Sequence, residues 1–212
     1  MKREKQVKKS MCITYEVDGG LYINMTNRCS NRCSFCIRNN GDGAYGSDSL
    51  WLEREPTEKE VTDAVLARNL DEYSEVVFCG YGEPSYRLAE ARNIALRIKE
   101  KHPNLPIRIN TNGHSSLILK EDSAKLYEGA FDTVSVSLNA PTAERYEEIC
   151  HSKYKESAFY AVIDFAKEVK RYVKTVVFSV VEDFLTAEEI RECEKISREC
   201  GIPLRVRKYI KE

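Results

Sequence analysis

Six short β-rich runs, each followed by a longer helical pattern except the last, occupy nearly all of the 212 residues, and this alternation constrains the fold more than any other feature. The expected strands are Leu21 to Thr26, Val76 to Gly80, Ile107 to Thr111, Thr133 to Asn139, Thr175 to Val181 and Leu204 to Ile210. Thr57 followed by Glu60 reads as a capping box for a helix burying Val61, Ala64 and Val65. Leu88, Ala91, Ala95 and Ile98 form an apolar stripe that ends before Pro103, and Pro141 with Thr142 opens another helix. Val162, Phe165, Ala166 and Val169 make a further stripe, and Ile190, Cys193, Ile196 and Cys200 the last, closed by Gly201 and Pro203. Strands that alternate with helices build a mainly parallel sheet. A full eightfold barrel takes about 250 residues, so the chain is expected to form an α/β fold: a partial (β/α)6 TIM-type barrel, open on one side.

Strand polarity supports a lumen. The third strand sets Arg108, Asn110 and Asn112 against Ile107, Ile109 and Thr111, and the fourth sets Ser135, Ser137 and Asn139 against Val134, Val136 and Leu138. In the sixth, Arg205, Arg207 and Tyr209 oppose Leu204, Val206 and Ile210, while the second and fifth are apolar on both faces. A strand buried on both sides reads as a continuous apolar run, so a repeated polar face meets water or a polar ligand. A flat sheet with one solvated face is the alternative, since alternation does not separate the two.

Charge and hydropathy exclude some classes. Lys plus Arg total 33 against 34 Asp plus Glu, which leaves no global field for nucleic acid or an acidic membrane. No apolar run approaches the ~18 residues of a membrane span, and Met1 to Ser10 has no apolar segment of a secretory signal. A cytoplasmic location without membrane association is expected. The basic run Lys2, Arg3, Lys5, Lys8 and Lys9 reads as a solvated tail, so residues 1–12 are expected as a tail and 13–212 as one domain.

Cysteine is the residue in surplus. Of eight, Cys29, Cys33 and Cys36 fall on one loop after the first strand, and Cys12, Cys79, Cys150, Cys193 and Cys200 are scattered. Cys150, Cys193 and Cys200 read as packing thiols on helix faces, and Cys79 as core with a place near the site end of its strand. His102, His114 and His151 show no ligand spacing and read as surface or capping residues. Three thiolates on a loop can hold one metal centre. Zinc would need a fourth ligand from Cys12, Cys79 or a histidine, which would make the chain a zinc-binding interaction module; an iron–sulfur cube needs only the three, leaving one iron open.

Cys-x3-Cys-x2-Cys with Phe35 before the last Cys, after the first strand of a repeating β/α chain, resembles the radical SAM superfamily. The resemblance implies a [4Fe-4S] cluster on Cys29, Cys33 and Cys36, with S-adenosylmethionine chelated to the fourth iron. The stretch Gly80-Tyr81-Gly82-Glu83 resembles the superfamily's Gly-Gly-Glu motif, which binds the methionine amino group, with Tyr81 in place of the first Gly. Asn112, Ser137 and Asn139 stand where the superfamily contacts the SAM carboxylate or ribose, and Phe35 is placed near adenine. The implied enzyme cleaves S-adenosylmethionine reductively to a 5'-deoxyadenosyl radical that takes hydrogen from a substrate. No catalytic residue is assigned beyond the cluster. An external electron donor of flavodoxin or ferredoxin type is implied, and the open side admits a macromolecule as well as a small molecule. Cys36-Ile37-Arg38-Asn39, Leu50 to Pro56 and Phe78 to Pro84 are similar to the short radical SAM proteins associated with TatD-type nucleases, a partner class this likeness implies. The loop Asn39 to Asp48, rich in Gly, Asn, Asp and Ser, reads either as a lid or as an inert surface loop.

Overall fold

The computed structural model describes residues 7–209. Its sheet has seven strands in chain order: β1 (Thr14–Val17), β2 (Gly20–Ile23), β3 (Glu75–Phe78), β4 (Ile107–Thr111), β5 (Thr133–Ser137), β6 (Thr175–Val181) and β7 (Leu204–Arg207). β1 and β2 are antiparallel, and every later neighbouring pair is parallel. Among the described residues β1 pairs only with β2 and β7 only with β6, so the sheet does not close. The partial, open α/β barrel expected from the alternation is the observed architecture.

β1 is an addition to the expected strands. Its turn, Asp18-Gly19, has both residues at positive φ, 48° and 78°, the geometry a two-residue hairpin needs to match strand twist. β2 ends at Ile23 instead of Thr26 because the Asn24 side chain takes over: its amide donates to the Cys12 and Leu50 carbonyls at 3.2 and 2.8 Å. β3 ends at Phe78 and β5 at Ser137, each two residues early; Asn139 already sits at φ 63°. β7 ends at Arg207, and Ile210 lies outside the described residues.

Six helices pack on the outer face: α1 (Glu58–Leu66), α2 (Leu88–Lys101), α3 (Ser115–Leu119), α4 (Ala143–Cys150), α5 (Ser157–Val169) and α6 (Ala187–Cys200). The Thr57 capping box is present, and Thr186 with Glu189 forms a second one at the start of α6. Gly201, at φ 59°, ends α6 in the left-handed conformation. The core lies between sheet and helices, where Ile107, Ile109, Val134, Val136, Phe178 and Val180 meet Leu88, Ile94, Ile98, Val162 and Phe165. Arg108, Asn110, Ser135 and Ser137 alternate with these and face the other way, half-exposed. A second, small cluster of Tyr15, Val17, Ala44, Leu50 and Tyr81 joins the hairpin to the loop after the cysteines.

The basic run is held from Lys8 onward. Lys8 N–H donates to Asp42 Oδ2 at 3.2 Å, Ser10 Oγ donates to the Ser49 carbonyl at 2.6 Å, and Ser10 forms a parallel bridge with Leu52. Lys2, Arg3 and Lys5 lie outside the described residues. Among those described, no helix is long and apolar enough to cross a membrane.

Candidate active site

The cysteine loop lies beyond the C-terminal end of β2 and is braced by the end of α4. A helix leaves its last carbonyls without internal partners; here His151, at φ 45°, stops α4 and two of those carbonyls are used by the loop. Arg32 N–H donates to Cys150 O and Ser34 N–H to Ile149 O, both at 2.9 Å, while Lys153 N–H returns a bond to Ser30 O at 2.9 Å. Asn31 Nδ2 donates to the buried Tyr146 hydroxyl at 2.9 Å. Asn39 closes the turn from the other side through its amide to Cys33 O at 3.1 Å, and Arg38 donates to Asn31 O at 3.0 Å.

Burial pushes the Cys29 thiol up to about 12, helped by the Glu83 charge. A hydrogen bond with Cys150, and then burial, pushes Cys33 far up, and burial raises Cys36. Cys33 is within electrostatic reach of both Cys29 and Cys36. Among the described residues no group of three or more His, Cys, Asp or Glu side chains is already assembled to hold a metal ion. The fit to a cluster rests on the donors: three soft thiols with no carboxylate among them suit iron–sulfur or zinc. Of the fourth zinc ligands sought, His114 and His151 stand beside the loop, with Nδ1 3.0 Å from Ser30 Oγ and Nε2 3.5 Å from Ser34 Oγ, but among the described residues neither forms a metal-holding group with the cysteines. Cys12 points its Sγ at Thr14 O, 3.6 Å away, and Cys79 is half-buried with its thiol on the Asn110 side chain. The fourth thiol at the loop is Cys150. Asn31 Oδ1 and Asn139 Oδ1 are buried acceptors without a hydrogen-bond partner, and a native interior rarely leaves such atoms unused. Asn139 Nδ2 donates to Cys150 Sγ at 3.4 Å, so its free oxygen stands one side chain away from Cys33.

The turn after β3 is pressed against the chain that leads into the cysteines. A Cβ on Gly80 would stand 2.2 Å from Asn24 Oδ1, and one on Gly82 would stand 2.2 Å from Thr26 O. Gly82 is required because backbone meets backbone there, and Gly80 because the buried, hydrogen-bonded Asn24 side chain fills the space. Tyr81, 2% exposed, packs its ring edge against Trp51 at 5.3 Å and donates its hydroxyl to Gly41 O at 3.0 Å. Glu83 is buried, and its carboxylate accepts from Ser85 N–H, Thr111 Oγ1 and Asn112 N–H at 3.0, 2.8 and 2.7 Å. Burial raises its pKa and these bonds oppose the rise. It clamps the ends of β3 and β4 together. Asn112 in turn donates to Ser30 Oγ at 2.8 Å and lies 3.9 Å from Cys29 Sγ. Phe35 packs against Phe184, ring centres 5.3 Å apart. Ser137 is half-buried at the end of β5, and Asn139 N–H donates to Ser179 O at 3.2 Å.

His114, expected as a surface or capping residue, does hold the N-cap position of α3, without a side-chain cap bond, but it is fully buried. Its Nδ1 meets Ser30 Oγ at 3.0 Å, and Nε2 meets Ala158 O at 3.3 Å and Tyr146 OH at 3.4 Å. Burial lowers its pKa from 6.5 to about 4. Its place right after Asn112-Gly113 was the available signal. Cys150 and Tyr146 gave none, because a buried helix face looks the same whether or not a loop rests on it. The loop after the cysteines reaches the inner face: Tyr45, at φ 55°, interacts electrostatically with Tyr22, Cys79 and Arg207. Its two ends are tied by Tyr209 OH to Asn40 Oδ1 at 2.7 Å and Leu50 N–H to Asp42 O at 2.7 Å. A cavity of about 480 Å³ lined by Leu70, Tyr73, His102 and Leu105 lies at the other end of the sheet, before β3 and β4, and holds none of these residues.

The family model described as the Radical SAM superfamily matches residues 23–195. A GTP 3',8-cyclase from Staphylococcus epidermidis is 28% identical over 166 residues, 74% of this chain and 44% of that protein. The one from Aquifex aeolicus is 27% identical over 192 residues, 90% of this chain and 56% of that protein. The chain thus spans about half the length of the curated relatives it matches. Among solved structures, Streptococcus suis SuiB bound to precursor peptide SuiA has a TM-score of 0.65 at 20% identity, covering 91% of this chain and 40% of that one. A radical SAM methyltransferase from Sphaerobacter thermophilus has a TM-score of 0.56 at 19% identity, covering 92% and 68%. These two share the fold. The match over 23–195, on the sheet and loop described above, makes the chain a member of the radical SAM superfamily, whose cofactors are a [4Fe-4S] cluster and S-adenosylmethionine.

Proposed function

We propose that this chain cleaves S-adenosylmethionine reductively and directs the resulting 5'-deoxyadenosyl radical to a hydrogen atom of a substrate held on the inner face of the sheet. The observation that carries the reading is the loop bearing Cys29, Cys33 and Cys36, braced on α4 beyond the C-terminal end of β2. The cofactor pair supplies the chemistry, one-electron cleavage of the sulfonium. The three thiols hold iron. Gly80, Tyr81 and Gly82 offer backbone to the methionine amino group, and Glu83 sets their position through Thr111 and Asn112. The orphaned Asn139 Oδ1, Ser137 and Asn112 would hold the ribose or carboxylate of S-adenosylmethionine, and Phe35 would pack near its adenine. Tyr45 and its loop limit water at the mouth.

Residues 13–212 form the radical SAM domain in this reading. An oxygen-sensitive cluster and eight unpaired thiols fit a reducing compartment, so we place the chain in the cytoplasm, served by a flavodoxin or ferredoxin. The likeness over Cys36 to Asn39, Leu50 to Pro56 and Phe78 to Pro84 supports the narrower group associated with TatD-type nucleases. The test is anaerobic reconstitution, iron and sulfide analysis, and reduction with S-adenosylmethionine. About four irons per chain and release of 5'-deoxyadenosine are expected, with both lost in Cys33→Ala. A colourless protein holding one zinc, or a brown Cys33→Ala variant, refutes the reading.

A further inference from the structure

The inner face carries three arginines on β4 and β7, and only one of them is paired among the described residues. Arg108 is satisfied there: it donates to Glu75 at 2.6 and 3.0 Å and to the Tyr22 hydroxyl at 3.2 Å. Arg205 and Arg207 are different. The β6–β7 register pairs Ser179 with Arg205 and Val181 with Arg207, while Phe178 and Val180 pair with Leu204 and Val206. Paired residues of parallel strands point to one face. Phe178 and Val180 pack in the core under the helices and side chains alternate along a strand, so Ser179 and Val181, although Val181 also joins the core at the strand's end, share the opposite, inner face with Arg205 and Arg207. Neither makes a hydrogen bond or ion pair among the described residues. The largest electrostatic influences on the half-buried Arg207 come from Cys79, Tyr45, Arg205 and Cys33: two thiols, a phenol and a second cation. Burial lowers the Arg207 pKa, yet a guanidinium stays charged. Two neighbouring guanidinium groups with no carboxylate bonded to either among the described residues have planar forks open to the oxygens of a carboxylate or phosphate.

We infer that Arg205 and Arg207 form the anchor for an anionic group, phosphate or carboxylate, on the substrate of this enzyme. The inference rests on the proposed function, since it takes the inner face as the substrate chamber. β7 is the open edge of the sheet among the described residues, and Arg207 is within electrostatic reach of Cys33 and Tyr45, so an anion anchored there leaves the rest of the substrate free to extend toward the cysteine loop. The charge selects acidic metabolites or nucleotides over neutral or basic molecules.

The probes are inorganic pyrophosphate and glutarate, titrated by calorimetry into the reconstituted protein saturated with S-adenosylmethionine. At least one should bind, and which one does separates a phosphate from a carboxylate group. Arg207→Met should weaken that binding roughly 10- to 100-fold, the range of a charge-assisted hydrogen bond, and the double variant with Arg205→Met further. Arg207→Lys, which keeps the charge and loses the fork, should fall between. Arg205→Met alone, at an exposed position, reads the anchor even if changes at Arg207 impair folding; Arg171→Met on the outer surface controls for general charge. Iron content and 5'-deoxyadenosine release are measured on the same wild-type preparation. If these pass and neither probe binds, or binding ignores both arginines, the anchor is refuted alone. If Arg207→Met weakens S-adenosylmethionine instead of the probe, the residue belongs to the cofactor and the anchor is refuted. A preparation that fails the iron and cleavage assays refutes the proposed function, and the anchor with it.

Discussion

Replacing Gly82 with alanine tests whether the turn after β3 is a close chain-to-chain contact. The new Cβ would stand 2.2 Å from Thr26 O and 2.7 Å from Arg28 O, where ordinary contact begins near 3.4 Å. Both neighbours are backbone, so relief means opening the gap by about 1 Å. Arg28 O accepts from Glu83 N–H at 2.7 Å, and that bond does not survive such an opening. Overpacking costs about 1–3 kcal/mol and the lost hydrogen bond about 1 kcal/mol, together roughly 2–4 kcal/mol. For a chain of this length that lowers Tm by roughly 5–15 °C. Since Arg28 adjoins Cys29, iron uptake should fall as well. Gly129→Ala is the comparison: φ is 71° with nothing within 4 Å, so it carries only the left-handed penalty, about 1–2 kcal/mol. Thermal melting of both apo variants by circular dichroism, with iron analysis after reconstitution, gives the answer. A Gly82→Ala protein that melts with Gly129→Ala and takes up full iron refutes the close-contact reasoning.

Other expected outcomes concern the brace behind the cysteines. His114 has a folded pKa of about 4 against an ordinary 6.5, so the unfolded chain binds more protons between those values. Stability is then fully present above about pH 6.5 and is lost as pH falls toward 4, by roughly 3 kcal/mol; urea midpoints across that window should flatten in His114→Gln. Tyr146→Phe removes the acceptor of Asn31 Nδ2 and should cost about 1–3 kcal/mol, with faster amide exchange at Arg32 and Ser34. Cys150→Ser should retain full iron by colorimetric assay, whereas a zinc site closed by Cys150 would lose its metal. Thr57→Ala removes the α1 cap and should cost about 1 kcal/mol in denaturant unfolding.

Much of the architecture is legible because the outer core imposes it. Ile107, Ile109, Val134 and Val136 must alternate with polar partners if one face packs on helices and the other does not, and β4 and β6 run over the residues their patterns predict. β1 was legible and passed over: Asp18-Gly19 between alternating residues is turn chemistry. The early ends of β2 and β3 were not, because they follow from the Asn24 side chain and the Gly80 contact, which join residues far apart in sequence. The three thiols stood out by spacing alone. Their support did not: Asn31 meets Tyr146 across 115 positions and Ser30 meets His114 across 84. Tyr146 and Cys150 belong to an amphipathic helix whose pattern is complete without them having a second task.

The carbonyls of Ile149 and Cys150 that accept from Ser34 and Arg32 bear on how the protein ages. In a zinc finger the metal is the fold, and removing one destroys the other. Here the course of the loop's backbone is set by a helix end, through bonds that no metal makes. Loss of iron would leave those bonds to α4 in place, so the loop would be refilled and not refolded.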